Sequence, residues 1–179
     1  TKSFSDLWQA QVSYTWSRLT GNYDGLYRPE DNQLDPNLNS TFDLKSLLLN
    51  QDGNLAADTT HNIKAYLAKE FVVAPTFSVT TGLSFNANSG PPINYLGAQV
   101  TYGPGQAYIL ERGAGGRLPW VTSLDARVSF NFRISKDSVL TASVEGFNLF
   151  NSQRPITVDQ NYTFDNVGPV IGARNGSVP

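Results

Sequence analysis

With 13 Lys and Arg against 15 Asp and Glu in 179 residues, the chain carries a formal charge of −2 and no basic cluster, which argues against a nucleic-acid partner. Only 16% of its residues are charged, below the roughly 25% of ordinary soluble domains. The absence of cysteine excludes disulfides, thiolate metal sites and cysteine nucleophiles. No apolar run reaches the ~18 residues that a transmembrane helix needs.

Residues 7–17 (LWQAQVSYTWS) alternate strictly, with Trp8, Ala10, Val12, Tyr14 and Trp16 on one face and Gln9, Gln11, Ser13, Thr15 and Ser17 on the other. A spacing of two is that of a strand and not of a helix. At ~3.4 Å per residue and a tilt of ~45°, Trp8 and Trp16 stand roughly 19 Å apart along a membrane normal. That is close to the ~25 Å apolar band of an outer-membrane barrel, with aromatics at its borders. The amides and hydroxyls opposite, without a charge among them, suit a lumen.

Residues 18–60 form a long connection rich in Asn, Asp, Gly and Pro. Within it, residues 41–50 (TFDLKSLLLN) have the makings of a short helix, capped by Ser40 or Thr41 and stopped at Asn50 to Gly53. Asp24, Glu30, Asp31 and Asp35 supply oxygen ligands for calcium, but they lack the spacing of a known loop and read as solvated charge. Residues 61–71 (HNIKAYLAKEF) form the next strand, with Ile63, Ala65, Leu67 and Phe71 outward and Asn62, Lys64, Tyr66 and Glu70 inward. A tight connection at 72–75 leads to a clean alternation over 76–88 (TFSVTTGLSFNAN).

A second long connection, 89–119, carries SGPP, YGPG and GAGG. Residues 95–102 and 108–111 are its candidates for a small hairpin. GAGG at Gly113 to Gly116 lacks the context of a phosphate loop and reads as a flexible loop. Residues 120–134 and 139–145 are two long alternating runs about a turn at 135–138, the form of an antiparallel hairpin. Leu124, Ala126, Val128, Phe130 and Phe132 oppose Asp125, Arg127, Ser129 and Asn131. Residues 150–179 form a third long segment. Long and short connections thus alternate, the asymmetry of bacterial outer-membrane barrels.

Asn148, Leu149, Phe150 and Asn151, closing such a strand, resemble the NLFN signature near the C-terminus of TonB-dependent outer-membrane receptors. Asp58, His61 and Asn62 are similar to their upstream D-x-x-H-N element, and the loop at 37–55 resembles that of the Oar-like branch, whose members carry a carboxypeptidase-regulatory-like domain. The resemblance covers residues 7–165. It implies an antiparallel transmembrane β-barrel of about 22 strands around a plug, taking up an extracellular ligand with energy relayed by TonB. The fold class expected is therefore all-β: about five long strands of a larger barrel, with the plug, earlier strands and last strand outside this chain. Five bare-edged strands do not suit lipid by themselves.

On this reading Lys64, Asp125, Arg127 and Glu145 are lumen-facing charges, and Trp8, Trp16 and Trp120 border the membrane. Partners expected are outer-membrane lipid, the plug and remaining strands, TonB through the N-terminal part, and an extracellular ligand. No cofactor is implied. His61, the one histidine, reads as a hydrogen-bonded rim residue at a strand start, because a metal role needs ligand partners. Asp125 with Glu145 would be the carboxylate pair of an enzyme; as charges neutralised by Arg127 they fit a barrel wall. The rivals are a barrel for adhesion or assembly, an outer-membrane enzyme, and a soluble β-sandwich in which the same apolar faces form a core.

Overall fold

The computed structural model describes residues 1–25, 27–28 and 40–171. Eleven strands are present among them: β1 (Lys2–Ser5), β2 (Trp8–Trp16), β3 (Thr20–Gly21), β4 (Gly53–Asn54), β5 (His61–Ala74), β6 (Phe77–Asn88), β7 (Leu96–Gln99), β8 (Gly103–Tyr108), β9 (Val121–Arg133), β10 (Val139–Gly146) and β11 (Asn161–Asn166). The only helical elements among the described residues are two 3₁₀ turns, and none is long and apolar enough to cross a membrane. The chain divides into two compact units.

The first unit, Thr1–Trp16 with His61–Asn88 and Trp120–Arg154, is a six-stranded antiparallel meander in the order β1-β2-β5-β6-β9-β10. Its five long strands are those the alternation predicts. β1 is an addition: four residues show too little periodicity to read. It joins β2 through Asp6 and Leu7, both at positive φ (52° and 63°), the backbone of a tight primed hairpin turn. The sheet is not a closed barrel. The tight connection expected at 72–75 is shorter than that, because β5 continues through Ala74 and pairs Ala74 with Phe77, leaving only Pro75 and Thr76 between the strands. Pro75 fits because its fixed φ suits the first position of a turn.

The second unit, Ser17–Thr60 with Ser89–Pro119 and Pro155–Pro179, consists of the three long connections. A three-stranded sheet β11-β7-β8 and the small pair β3-β4 organise it. The expected hairpin exists, but its second arm is 103–108 and not 108–111; β11 then adds to β7 in parallel. Most of the buried apolar side chains among the described residues lie here: Leu47, Leu55, Leu96, Ala98, Ala107, Tyr108, Leu110 and Leu118.

The helix expected over 41–50 is replaced by 3₁₀ turns at Ser40–Phe42 and Lys45–Leu48. Leu44 stands at the N-cap in an extended conformation with no side-chain cap, and Leu49 is extended again. A ten-residue stretch is too short to hold a helix by propensity, and only Leu47 of the Lys45–Leu48 turn is drawn into the core. GAGG is likewise not a loose loop. Its Gly113 N–H donates to Asn94 Oδ1 at 2.7 Å, the Gly115 N–H donates to Ile93 O at 3.0 Å, and the Ile93 N–H donates to Gly116 O at 2.9 Å. Gly115 lies so close to Ile93 that a Cβ there would stand 2.9 Å from its carbonyl oxygen.

Candidate functional site

The strand registers carry the faces across the sheet intact. Val12, Ala65, Phe85 and Leu124 align in one row, and Ala10, Leu67, Leu83 and Ala126 in another. Successive rows on the same face are 6–7 Å apart, two residues along each strand. This face is uncovered: Val12, Tyr14, Trp16, Leu67, Phe71, Leu83 and Phe132 retain 42–69% of their surface. So contiguous an apolar exposure is foreign to the free surface of a water-soluble domain.

Aromatic side chains mark the two ends of the strands. At one end, His61 is stacked between Tyr14 (centroids 6.0 Å, 15° between planes) and Trp120 (5.6 Å, 12°), and its Nδ1 is 2.8 Å from the Tyr14 hydroxyl. Trp16 pairs with His61 in the register. At the other end, Phe77 stacks on Phe132 at 4.8 Å, and the Lys2 ammonium lies 4.0 Å over the Trp8 ring. His61 therefore has the hydrogen bond its strand-start position suggested, within an aromatic stack that spacing could not reveal.

The opposite face is a ladder of hydroxyls and amides. Asn131 Nδ2 donates to Thr80 (3.0 Å) and Ser78 (3.3 Å), Thr141 donates to Asn131 Oδ1 (3.0 Å), and the Ser129 and Ser143 hydroxyls meet at 3.0 Å. Arg127 belongs to this ladder: it donates to Ser129 and Ser143 at 3.1 Å each and pairs with Glu145 at 3.4 Å. Both partners of that pair are about half exposed, so it contributes little stability. Lys64 falls in the row of Ser13, Asn86 and Ser123. Tyr66, Ser84, Asp125, Arg127 and Glu145 help line an open depression of about 210 Å³.

Asp125 does not neutralise Arg127. Its Oδ1 accepts the Asn148 N–H at 2.8 Å and the Ser123 hydroxyl at 3.0 Å. β10 has ended at Gly146, so Asn148 to Asn151 form a turn after the strand. Asn148 and Asn151 adopt positive φ (49° and 47°), which asparagine tolerates better than most residues. Asn148 Oδ1 accepts from Ser152 N at 2.9 Å, and Leu149 N–H reaches Leu124 O at 2.8 Å. The four-residue motif is thus a turn clasped onto β9 through Asp125.

Asp58, the other end of the upstream motif, is a second clasp. Its buried carboxylate accepts from Leu19 N (2.6 Å), Thr60 Oγ1 (3.0 Å) and the Arg117 guanidinium, whose second nitrogen donates to the carbonyls of Asp58 and Gly90 at 3.1 Å. Leu19, Asp58, Gly90 and Arg117 all lie within a few residues of a long strand, so one cluster gathers four segments of the connecting unit. Burial pushes the Asp58 carboxyl up, but the hydrogen bonds from Arg117, Leu19 and Thr60 outweigh it and hold the group below its ordinary 3.8.

Asp24, expected to be solvated, is paired instead with Arg112 at 2.6 Å, with side-chain exposures of 6% and 0%. Glu30, Asp31 and Asp35 lie outside the described residues. The Arg112 guanidinium is 4.8 Å from the Tyr108 ring centre, and buried Arg28 donates to Gln106 Oε1 at 2.8 Å and Gly105 O at 3.0 Å. Spacing did not single out these arginines. One signal was available: every cation of residues 89–119 is Arg and none is Lys, the preference of buried, forked ion pairs.

Fold and surface together define an all-β protein whose main sheet is amphipathic, with an uncovered apolar face and folded connections. Over 171 residues the chain is 49% identical to the TonB-dependent transporter Oar of Myxococcus xanthus, an alignment covering 96% of this chain and 16% of that protein. No family profile and no solved structure matches it. The chain belongs to the Oar-like TonB-dependent receptors as a segment, spanning about 16% of the length of this curated relative.

Proposed function

We propose that the chain is part of an outer-membrane β-barrel receptor that binds an extracellular ligand and moves it inward with energy delivered through TonB. The apolar rows face lipid, the hydroxyl ladder with Lys64, Arg127 and Glu145 faces lumen and plug, and the folded connections face the ligand. Trp8, Trp16 and Trp120 lie at the membrane borders. The observation that carries this reading is the uncovered apolar face. A soluble sandwich would have to bury it, whereas lipid covers it without a second sheet. Kinship with a protein named as a TonB-dependent transporter supports the uptake role.

Membrane fractionation of the native cells tests the reading, with an antibody raised against residues 18–60. The expected result is an outer-membrane band several times larger than the 19.6 kDa of this chain. A soluble band near 19.6 kDa would overturn it.

A further inference from the structure

Two adjoining depressions hollow the hydroxyl-bearing face of the main sheet. The first, of about 210 Å³, is lined by Tyr66, Gly82, Ser84, Arg127, Glu145 and Phe147. The second, of about 270 Å³, shares Tyr66, Gly82 and Arg127 and continues over Ala68, Thr80 and Thr141. One row of the register runs beneath both: Ala68 pairs with Gly82, Gly82 with Arg127, and Arg127 with Glu145. The two smallest residue types thus stand side by side. Gly82 does not adopt a positive φ, and a Cβ there would meet only the Arg127 Cβ, at 3.9 Å. Neither backbone nor packing requires a glycine at this position; its effect is to leave the floor open.

Aromatic rings flank the first depression. Tyr66 is 44% and Phe147 73% exposed. Phe147 is held in place by its neighbour, because the Asn148 N–H donates to Asp125 Oδ1 at 2.8 Å. The polar groups differ along the face. Asn131 holds Ser78, Thr80 and Thr141, and Ser129 meets Ser143, so that part of the ladder is closed on itself. Around the first depression, the Tyr66 and Ser84 hydroxyls, Arg127 Nη1 and Glu145 Oε2 have no hydrogen-bond partner among the described residues. Arg127 and Glu145, 3.4 Å apart, there set spare donors beside spare acceptors.

This chemistry selects its ligand by exclusion. Asp125 and Glu145 outnumber Arg127, so an anion finds no excess of positive charge, and a cation meets the guanidinium. A wholly apolar ligand would strand the open polar groups. A neutral ring with hydroxyls around its rim and C–H groups on its faces satisfies every group. Its slightly positive C–H groups suit the negative ring faces of Tyr66 and Phe147. Its adjacent hydroxyls donate and accept side by side, as Glu145 and Arg127 require. We propose that the adjoining depressions form a binding track for a neutral oligosaccharide. Tyr66 and Phe147 stack on one sugar ring, Ser84, Arg127 and Glu145 bind its hydroxyls, and the second depression takes the next ring. This names the substrate class of the receptor proposed above and rests on that reading.

The test uses the full-length receptor in an amine-oxide detergent, which carries no sugar. Maltotriose and cellotriose are titrated beside sorbitol, which has hydroxyls without ring faces, and acetyl-Ala-Ala-Ala-amide, a neutral peptide. Binding is read by saturation-transfer NMR. At least one trisaccharide is expected to bind about tenfold more tightly than sorbitol or the peptide, with an affinity that salt does not change. Phe147→Ala is expected to weaken that binding about fivefold. Gly82→Leu, which fills the floor, is expected to abolish it. Both variants should keep parental exchange protection in β9. Trisaccharides no better than sorbitol, or parental affinity in either variant, would overturn the track. Tighter binding of the peptide would overturn it too and give the face to a polypeptide such as the plug. Any of these results with the receptor still in the outer-membrane band leaves the receptor reading standing, whereas a soluble band near 19.6 kDa removes both.

Discussion

Replacing Asp58 by alanine removes the acceptor for Leu19 N–H, Thr60 Oγ1 and Arg117 at once. The carboxylate is fully buried and the Arg117 side chain is 28% exposed, so the orphaned guanidinium is only partly rehydrated. Breaking such a pair from one side costs about 3–5 kcal/mol. Asp58→Asn keeps an acceptor and loses the charge, so about 1.5–3 kcal/mol is expected, the worth of a charged hydrogen bond. The assay is native-state hydrogen exchange of the connecting unit, which reads local opening without unfolding the whole receptor. In a double-mutant cycle with Arg117→Ala, the two changes should couple by more than about 1 kcal/mol. The pH dependence has a definite sign. The folded carboxyl lies below its ordinary 3.8, so its contribution is complete above that value and is lost as pH falls through the folded one. Protection unchanged in Asp58→Ala at neutral pH, or no coupling to Arg117, would refute the clasp.

Asp125→Ala leaves the Asn148 N–H without its acceptor, and about 1–3 kcal/mol of local stability should go with it; exchange of the Asn148 and Ser152 amides reports this, and unchanged rates would deny the clasp. Arg112→Ala strands buried Asp24 and should cost about 3–5 kcal/mol, seen as faster proteolysis within residues 40–60 and 89–119. Leu83→Arg should cost barrel folding in vesicles about 2–4 kcal/mol, whereas Ser84→Arg on the other face should cost much less; equal costs would mean that the strand phase is wrong.

Period-two alternation made the five long strands and their phase readable, because each strand is amphipathic along its whole length. β1 was beyond that signal. The connections misled for a different reason. They fold through individual polar contacts, Arg112 with Asp24 and Arg117 with Asp58, and such partners lie roughly 60 to 90 positions apart in the chain without any local periodicity. The acidic residues of 18–60 read as solvated charge and GAGG as a flexible loop, although these segments hold most of the buried apolar side chains among the described residues. The NLFN motif was found as letters and placed at a strand's close. Its structural content, two asparagines at positive φ and a clasp to Asp125, is visible only once β9 and β10 are paired.

The central claim is that one face of the six-stranded sheet meets lipid and the other does not. This segment contains no cysteine, so once any cysteine elsewhere in the receptor is replaced by serine, Leu83→Cys and Ser84→Cys each place one fluorophore on one face at nearly the same depth. In vesicles holding the full-length receptor, nitroxide on the lipid acyl chains should quench the probe at position 83 strongly and that at 84 weakly. Equal quenching at the two positions, or none at 83, would contradict the account.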